Sequence, residues 1–278
     1  MLTLSSDFGS PYPAAMKGVI RQLTDAELLD VAHDLPRQSI QAGAFWLDQA
    51  LPYFPPAVHL AVVDPGVGTD RAAVVVRAGE HALVGPDNGV LLPAARSLAG
   101  DEDDVEVFEV AVRGRGDPIG GSAVGREGPL PPTEWPPDPA SSTFHGRDVF
   151  APTAARVHEA GVDAIEDIQA IAPAETYEDL RFPEPTVKDD GVIGTALAVD
   201  GFGNVITNVP GRVLADRFGD HVKANGVWAS ARRTYADVEE GHRVITVGSH
   251  GNVELAVNQG RGDKTFGIGA GGRVRLYW

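Results

Sequence analysis

The chain has no cysteine. That excludes disulfide staples, a thiolate nucleophile and Cys-based zinc or iron–sulfur sites, so any chemistry must come from carboxylate, imidazole, guanidinium, hydroxyl or backbone groups. Lysine is scarce too. Of 23 basic residues only Lys17, Lys188, Lys223 and Lys264 are lysines, against 39 acidic residues, for a formal charge of −16. Such a chain suits neither nucleic acid nor an anionic membrane as a partner. A carboxylate-rich, lysine-poor surface holds water and ions while salt screens its self-repulsion, which makes a halophilic source the expectation. No stretch approaches the ~18 apolar residues of a spanning helix. The start, MLTLSSDFGS, lacks the basic and apolar regions of a signal peptide, so a cytoplasmic protein is expected.

Several chemical signatures are also missing. The eight histidines are scattered, with no HxH, HExxH or DxDxDG spacing, which points to no bound metal. Gly66-Val67-Gly68 lacks the third glycine and the acid of a dinucleotide fingerprint, and no GxxxxGK[ST] loop occurs. Without a GxSxG elbow, a serine-nucleophile hydrolase is unsupported. No cofactor is called for.

What is present is organised around residues 58–71, VHLAVVDPGVGTDR. An unbroken apolar run reads as a strand buried on both faces of a parallel sheet, and it stops at Asp64. Pro65, Gly66 and Gly68 then force a turn at the strand's carboxyl end, where open α/β sheets place ligands, and Arg71 follows. Asp capping its own turn is the plainer reading, and this stretch alone does not decide between them.

Upstream, residues 2–6 read as a strand, and Met16, Val19, Ile20 and Leu23 mark an amphipathic helix. Leu28–His33 reads as a buried strand, and Ile40, Ala44, Leu47 and Leu51 mark a second helix. Strands at 72–77 and 81–84 and a short helix near 90–98 follow. The alternation predicts a mostly parallel α/β sandwich domain over 1–175. Residues 112–141, rich in Gly and Pro and without period, read as a surface insertion. Beyond an acidic, Pro-rich linker at 172–190, short β-rich runs at 191–200, 204–209, 221–229, 242–248, 252–258 and 273–278 predict a C-terminal β-barrel domain over 190–278.

Polar motifs sit where the chain reverses: SDFG (6–9), DPGVGTDR (64–71), GPDNG (85–89), FHGRD (144–148) and DGFGNVITN (200–208). For GPDNG turn chemistry is the stronger reading. His145, between an aromatic residue and Gly at a helix start, is either a bonded core group or a site group.

Taken in order, SDFG, VDPGVGTDR, VGPDNG, STFHGRDVFAP, DGFGNVITN and GSHGNVELAVN resemble the S-adenosylmethionine (SAM) hydrolases, also called SAM hydroxide adenosyltransferases, the water-using relatives of fluorinases and chlorinases. The resemblance runs from Leu4 to about Asn258, the insertion apart. It implies an α/β domain followed by a β-barrel, and a homotrimer whose active sites lie between the N-domain of one subunit and the C-domain of its neighbour. It implies water attack at C5′ of SAM, releasing adenosine and L-methionine, with the R-configured sulfonium epimer a candidate substrate. The family's catalytic set falls on Asp64, Arg71 and His145. The ribose-gripping acid falls on Asp7, the methionine-holding positions on Asp200 and Asn204, the adenine-stacking ring on Phe202, and a ligand-contacting strand pair on Ser249, Glu254 and Val257. Halide-using members carry Tyr at the DPG position and Tyr-Ser in place of His-Gly; Asp64 and His145-Gly146 therefore favour water. The alternatives are a SAM-dependent halogenase, a metal-dependent phosphoesterase using the loop carboxylates, and a non-catalytic adenosine- or SAM-binding module.

Overall fold

The computed structural model describes residues 1–113 and 135–278, so residues 114–134 of the expected insertion lie outside the described part. The described residues form two compact units, Met1–Leu180 and Arg181–Trp278.

In the first unit, β1 (Leu2–Ser6), β2 (Leu28–Ala32), β3 (Val58–Val62), β4 (Ala73–Ala78), β5 (His81–Pro86), β6 (Val105–Val110) and β7 (Ile171–Pro173) make one sheet in the order β2-β1-β3-β5-β4-β6-β7. The β2-β1-β3-β5 half is parallel, as the strand–helix alternation predicts. The other half is antiparallel, because Gly79-Glu80 joins β4 to β5 as a hairpin and leaves no room for a crossover. Strand β2 departs from the buried strand expected: it is a sheet edge, partly to fully exposed along its length. Strand β6 was missed by sequence reasoning, its Val/Glu alternation following directly on an acidic turn.

Helices α1 (Tyr12–Leu23), α2 (Ile40–Ala50), α3 (Leu92–Ala99) and α4 (Ala151–Ala160) cover the sheet, α1 packing with α4 and α2 with α3. Met16, Val19 and Ile20 of α1 and Ala154, Ala155 and Val157 of α4 join Leu4, Leu60, Val62 and Val84 in one apolar core. Each of the Met, Val, Ile and Leu side chains contributes ~1.5–3 kcal/mol on leaving water, and each alanine less. Pro152 in the first turn of α4 and Gly161 at its end fit the start and stop signals read in the sequence.

In the second unit, β9 (Gly191–Val199), β10 (Val205–Pro210), β11 (His221–Ala224), β12 (Val227–Ala231), β13 (Arg243–Val247), β14 (Asn252–Val257) and β15 (Arg273–Tyr277) form a closed barrel, with β8 (Thr186–Lys188) added on β9. Closure comes from β9, whose first half pairs with β15 and second half with β10. The handover falls between Thr195 and Ala196, and a Cβ added at the adjacent Gly194 would clash with Asn208 Oδ1. The expected single run 221–229 is a hairpin instead, turned at Asn225-Gly226 with both residues at positive φ. A short helix α5 (Gly262–Phe266) lies in a region where no helical period is evident. Among the described residues no helix is long and apolar enough to cross a membrane.

Candidate active site

Four of the sequence-predicted residues meet at the carboxyl ends of β1 and β3. Asp7 follows β1, Asp64 follows β3, and Arg71 lies on the loop from β3 to β4. His145 precedes a π-helical turn, Gly146–Phe150, that runs into α4. Asp7, Asp64 and His145 line a cleft of about 510 Å³ together with Phe8, Tyr12 and Phe144.

Arg71 stands behind this wall and ties it together. Its Nε donates to Asp64 Oδ1 at 2.9 Å and its Nη2 to Asp64 Oδ2, a two-pronged pair in which both side chains are largely buried. Nη1 donates to the Ala72 carbonyl at 3.0 Å, and the guanidinium lies 4.8 Å over the Phe150 ring. The same Nη2 also reaches His145 Nδ1 at 3.1 Å. A guanidinium only donates, so Nδ1 must accept, and neutral His145 carries its hydrogen on Nε2. Burial first, then the Arg71 charge, push His145 below the usual imidazole value, with Asp64 and Asp148 opposing. At neutral pH the ring is therefore an uncharged donor.

The DPGVGTDR loop is shaped by close backbone contact. Gly68 has φ +80°, and a Cβ there would sit 2.6 Å from the Ser142 carbonyl oxygen. The loop thus rests directly on the segment leading to His145. Gly68→Ala is expected to shift residues 141–145 and to lower kcat/KM by about tenfold or more, because a displacement near 1 Å is costly in oriented reactions; unchanged steady-state kinetics would contradict this.

The segment is anchored from the other side by Asp148, fully buried, which accepts from Arg147 Nε at 2.5 Å, Arg147 Nη2 at 3.0 Å and the Ser141 backbone N–H at 2.9 Å. Phe8, Tyr12 and Phe144 meet edge to face, with centroids 5.4–6.1 Å apart, on the cleft wall. Asp7 Oδ2 accepts from the Gln38 backbone N–H at 2.7 Å.

GPDNG acts as turn chemistry. Asn88 Nδ2 donates to the Val63 carbonyl at 2.9 Å, its Oδ1 accepts from Val90 N–H at 3.1 Å, and Asp87 Oδ1 accepts from Glu178 N–H at 2.9 Å.

The remaining predicted residues belong to the second unit. Asp200 and Asn204 close the β9–β10 turn on each other, Asn204 N–H and Nδ2 donating to the two Asp200 oxygens at 2.8 and 2.9 Å. Phe202, at the tip of that turn, is 81% exposed. Ser249 lies in the turn before β14, and Val257 at the end of that strand. Glu254 is buried, accepting from Tyr235 Oη at 2.5 Å and paired with His250 Nε2 at 2.9 Å. Burial and the neighbouring carboxylate push the Tyr235 hydroxyl far above its usual value.

Sequence reasoning missed the 33–38 loop, which supplies Gln38 to Asp7, and missed Tyr235. The rule that found the other loops, polar residues following a parallel strand's carboxyl end, applies equally to His33-Asp34-Leu35-Pro36-Arg37-Gln38. Tyr235 carries no comparable signal. Among the described residues no three His, Asp or Glu side chains gather as a metal site.

Comparison with known proteins gives concordant matches. The family model of the SAM hydroxide adenosyltransferase N-terminal domain matches residues 2–169, and that of the C-terminal domain matches residues 194–275. A Salinispora tropica protein named (R)-S-adenosyl-L-methionine hydrolase is 37% identical over 99% of this chain and 97% of its own. A Thermus thermophilus protein of the same name is 38% identical over 98% and 97%. A solved Thermotoga maritima structure covers 100% of both chains at 29% identity with a TM-score of 0.76. A solved structure from Thermus thermophilus covers 99% of this chain and 98% of its own at 33% identity, with a TM-score of 0.69.

Proposed function

Because the chain belongs to the SAM hydroxide adenosyltransferase family, we propose that it is a SAM hydrolase, converting S-adenosyl-L-methionine and water to adenosine, L-methionine and a proton. The observation that carries this reading is the placement of Asp64 and His145 on one cleft wall, linked through Arg71. The names of the relatives at 36–38% identity support the R-configured sulfonium as the preferred substrate.

In this reading the bond from water oxygen to C5′ forms as the bond from C5′ to sulfur breaks, and its electron pair stays on sulfur. The leaving thioether is neutral and needs no acid. The difficulty is a weak nucleophile that must approach opposite sulfur, and holding both partners in line can supply ~7–11 kcal/mol of the barrier. Asp64, its carboxylate fixed by two prongs, accepts a hydrogen bond from the water. His145 Nε2–H donates to one water lone pair and aims the other at C5′. Asp7 holds the ribose hydroxyls. Asp200, Asn204, Ser249, Glu254 and Val257 serve the methionine and nucleoside ends, and Phe202 offers a stacking face, on the barrel of a neighbouring subunit in a homotrimer. The enzyme works without metal, inside the cell, in a salt-adapted host.

Purified protein given each SAM epimer should release adenosine and methionine, faster from the R epimer, unaffected by EDTA and more slowly in ~50 mM than in molar salt, where the Debye length shrinks to a few ångströms. Chlorodeoxyadenosine formed in chloride would replace this reading with a halogenase. Binding of SAM without any product would replace it with a binding module, and loss of activity in EDTA would revive the phosphoesterase.

A further inference from the structure

A polar chain outside the catalytic set runs from the surface to the root of the cleft. Lys17 Nζ donates to Asp30 Oδ2 at 2.6 Å, Asp30 Oδ1 lies 3.1 Å from His33 Nε2, and His33 Nδ1 lies 2.7 Å from Ser6 Oγ. The connectivity resembles a Ser-His-Asp triad, but Ser6 is fully buried, so its hydroxyl cannot be offered to a substrate. Its consequence is positional. A carboxylate only accepts, so His33 Nε2 donates to Asp30. In the neutral ring Nδ1 is then left as an acceptor, and Ser6 Oγ–H points at it.

Ser6 immediately precedes Asp7, and the same loop grips the backbone on both sides of that acid. Leu35 N–H donates to the Ser6 carbonyl at 3.2 Å, and Gly9 N–H donates to the His33 carbonyl at 2.8 Å. Gln38, which holds Asp7 Oδ2, ends this brace in a left-handed conformation at φ +57°. Asp7 Oδ1 has no protein partner among the described residues, although Asp7 lines the cleft. One carboxylate oxygen is thus tied down and the other presented.

We propose that His33 is a positioning residue for Asp7: by capping the buried Ser6 hydroxyl and carrying the 33–38 brace, it fixes which Asp7 oxygen faces the ribose hydroxyls. The proposal rests on the reading of Asp7 as the ribose-binding acid. Removing His33 leaves a buried hydroxyl without its acceptor, and the strand end bearing Asp7 relaxes to find another. The effect falls on recognition of the sugar hydroxyls and spares the Asp64, Arg71 and His145 group.

The test is calorimetric titration of the full-length protein with adenosine and with 2′,3′-dideoxyadenosine. Wild type should prefer adenosine, and Asp7→Ala should abolish the preference. His33→Ala should reduce the preference by about fivefold, the worth of one ordinary hydrogen bond, while dideoxyadenosine affinity stays unchanged. His33→Asn, whose amide oxygen can take the Ser6 proton, should restore it. Ser6→Ala should reduce it similarly, and adding His33→Ala to Ser6→Ala should cost little more, the signature of a shared link. A preference lost in Asp7→Ala but intact in His33→Ala and Ser6→Ala overturns the His33 proposal alone. An equal drop for both ligands overturns it too, as a merely structural role. A wild type with no preference removes the Asp7 reading and the proposal together. If His33→Ala does not fold, Ser6→Ala and His33→Asn decide by the same criteria.

Discussion

Asp64→Asn is expected to lower the rate of adenosine release by about 10³-fold or more, the range seen when a preorganised polar group at a reacting centre is removed. Asparagine keeps the shape but not the charge. It also turns an N–H₂ toward Arg71, which then loses one of the acceptors that hold it near His145. His145→Ala should fall in the same class, since it removes the Nε2–H donor while leaving the Asp64–Arg71 pair. In both variants SAM affinity should stay within a few-fold of wild type, because Asp7 and the aromatic wall are untouched. Near-wild-type turnover in either would remove the catalytic assignment. The pH profile supplies a second check. Protonating His145 would place a hydrogen on Nδ1 against the Arg71 N–H, so activity should fall in acid, with a midpoint below the ordinary imidazole value of ~6.5.

The second large effect concerns stability. Thr3 Oγ1, His59 and His81 form a buried chain across β1, β3 and β5, with contacts of 2.8 and 2.9 Å. Burial first, then His81, push the His59 imidazole down to about 3. A base whose folded value lies below its unfolded one favours unfolding as it takes up a proton. The contribution is therefore complete above pH ~6.5 and is lost as pH falls toward about 3. The integrated loss is ~2 kcal/mol at pH 5 and ~5 kcal/mol once His59 is protonated, comparable with much of a domain's net stability. His59→Gln, which leaves a polar partner for His81 but cannot charge, should flatten the acid limb of a plot of denaturation midpoint against pH. An unchanged slope in the variant would assign the acid sensitivity to other groups.

The architecture was legible where a single physical signal dominated. Unbroken apolar runs ending in Gly, Pro and Asp marked β3 and its loop, and 3.6-residue spacing marked α1 and α2. Signals failed where context decides. Leu28–His33 has the composition of a buried strand, but its place at the sheet edge is fixed by the order in which strands pair, which local sequence does not encode. The break inside 221–229 hung on Asn225-Gly226, a recognised hairpin signal embedded in a run that otherwise reads as one strand. Asp64, Arg71 and His145 could be named from motifs, but the tautomer of His145 could not. It depends on a guanidinium distant in sequence, and only coordinates bring the two within 3.1 Å.

The closure of the second unit restricts how copies of this chain can associate. With β9 shared between β15 and β10, the strands close into a ring, and the outlying edge is the three-residue β8. A neighbour adding a strand would have only that short edge to pair with. Otherwise it must recognise the outer surface through side chains, where a few substitutions can tune or abolish assembly without disturbing the ring beneath.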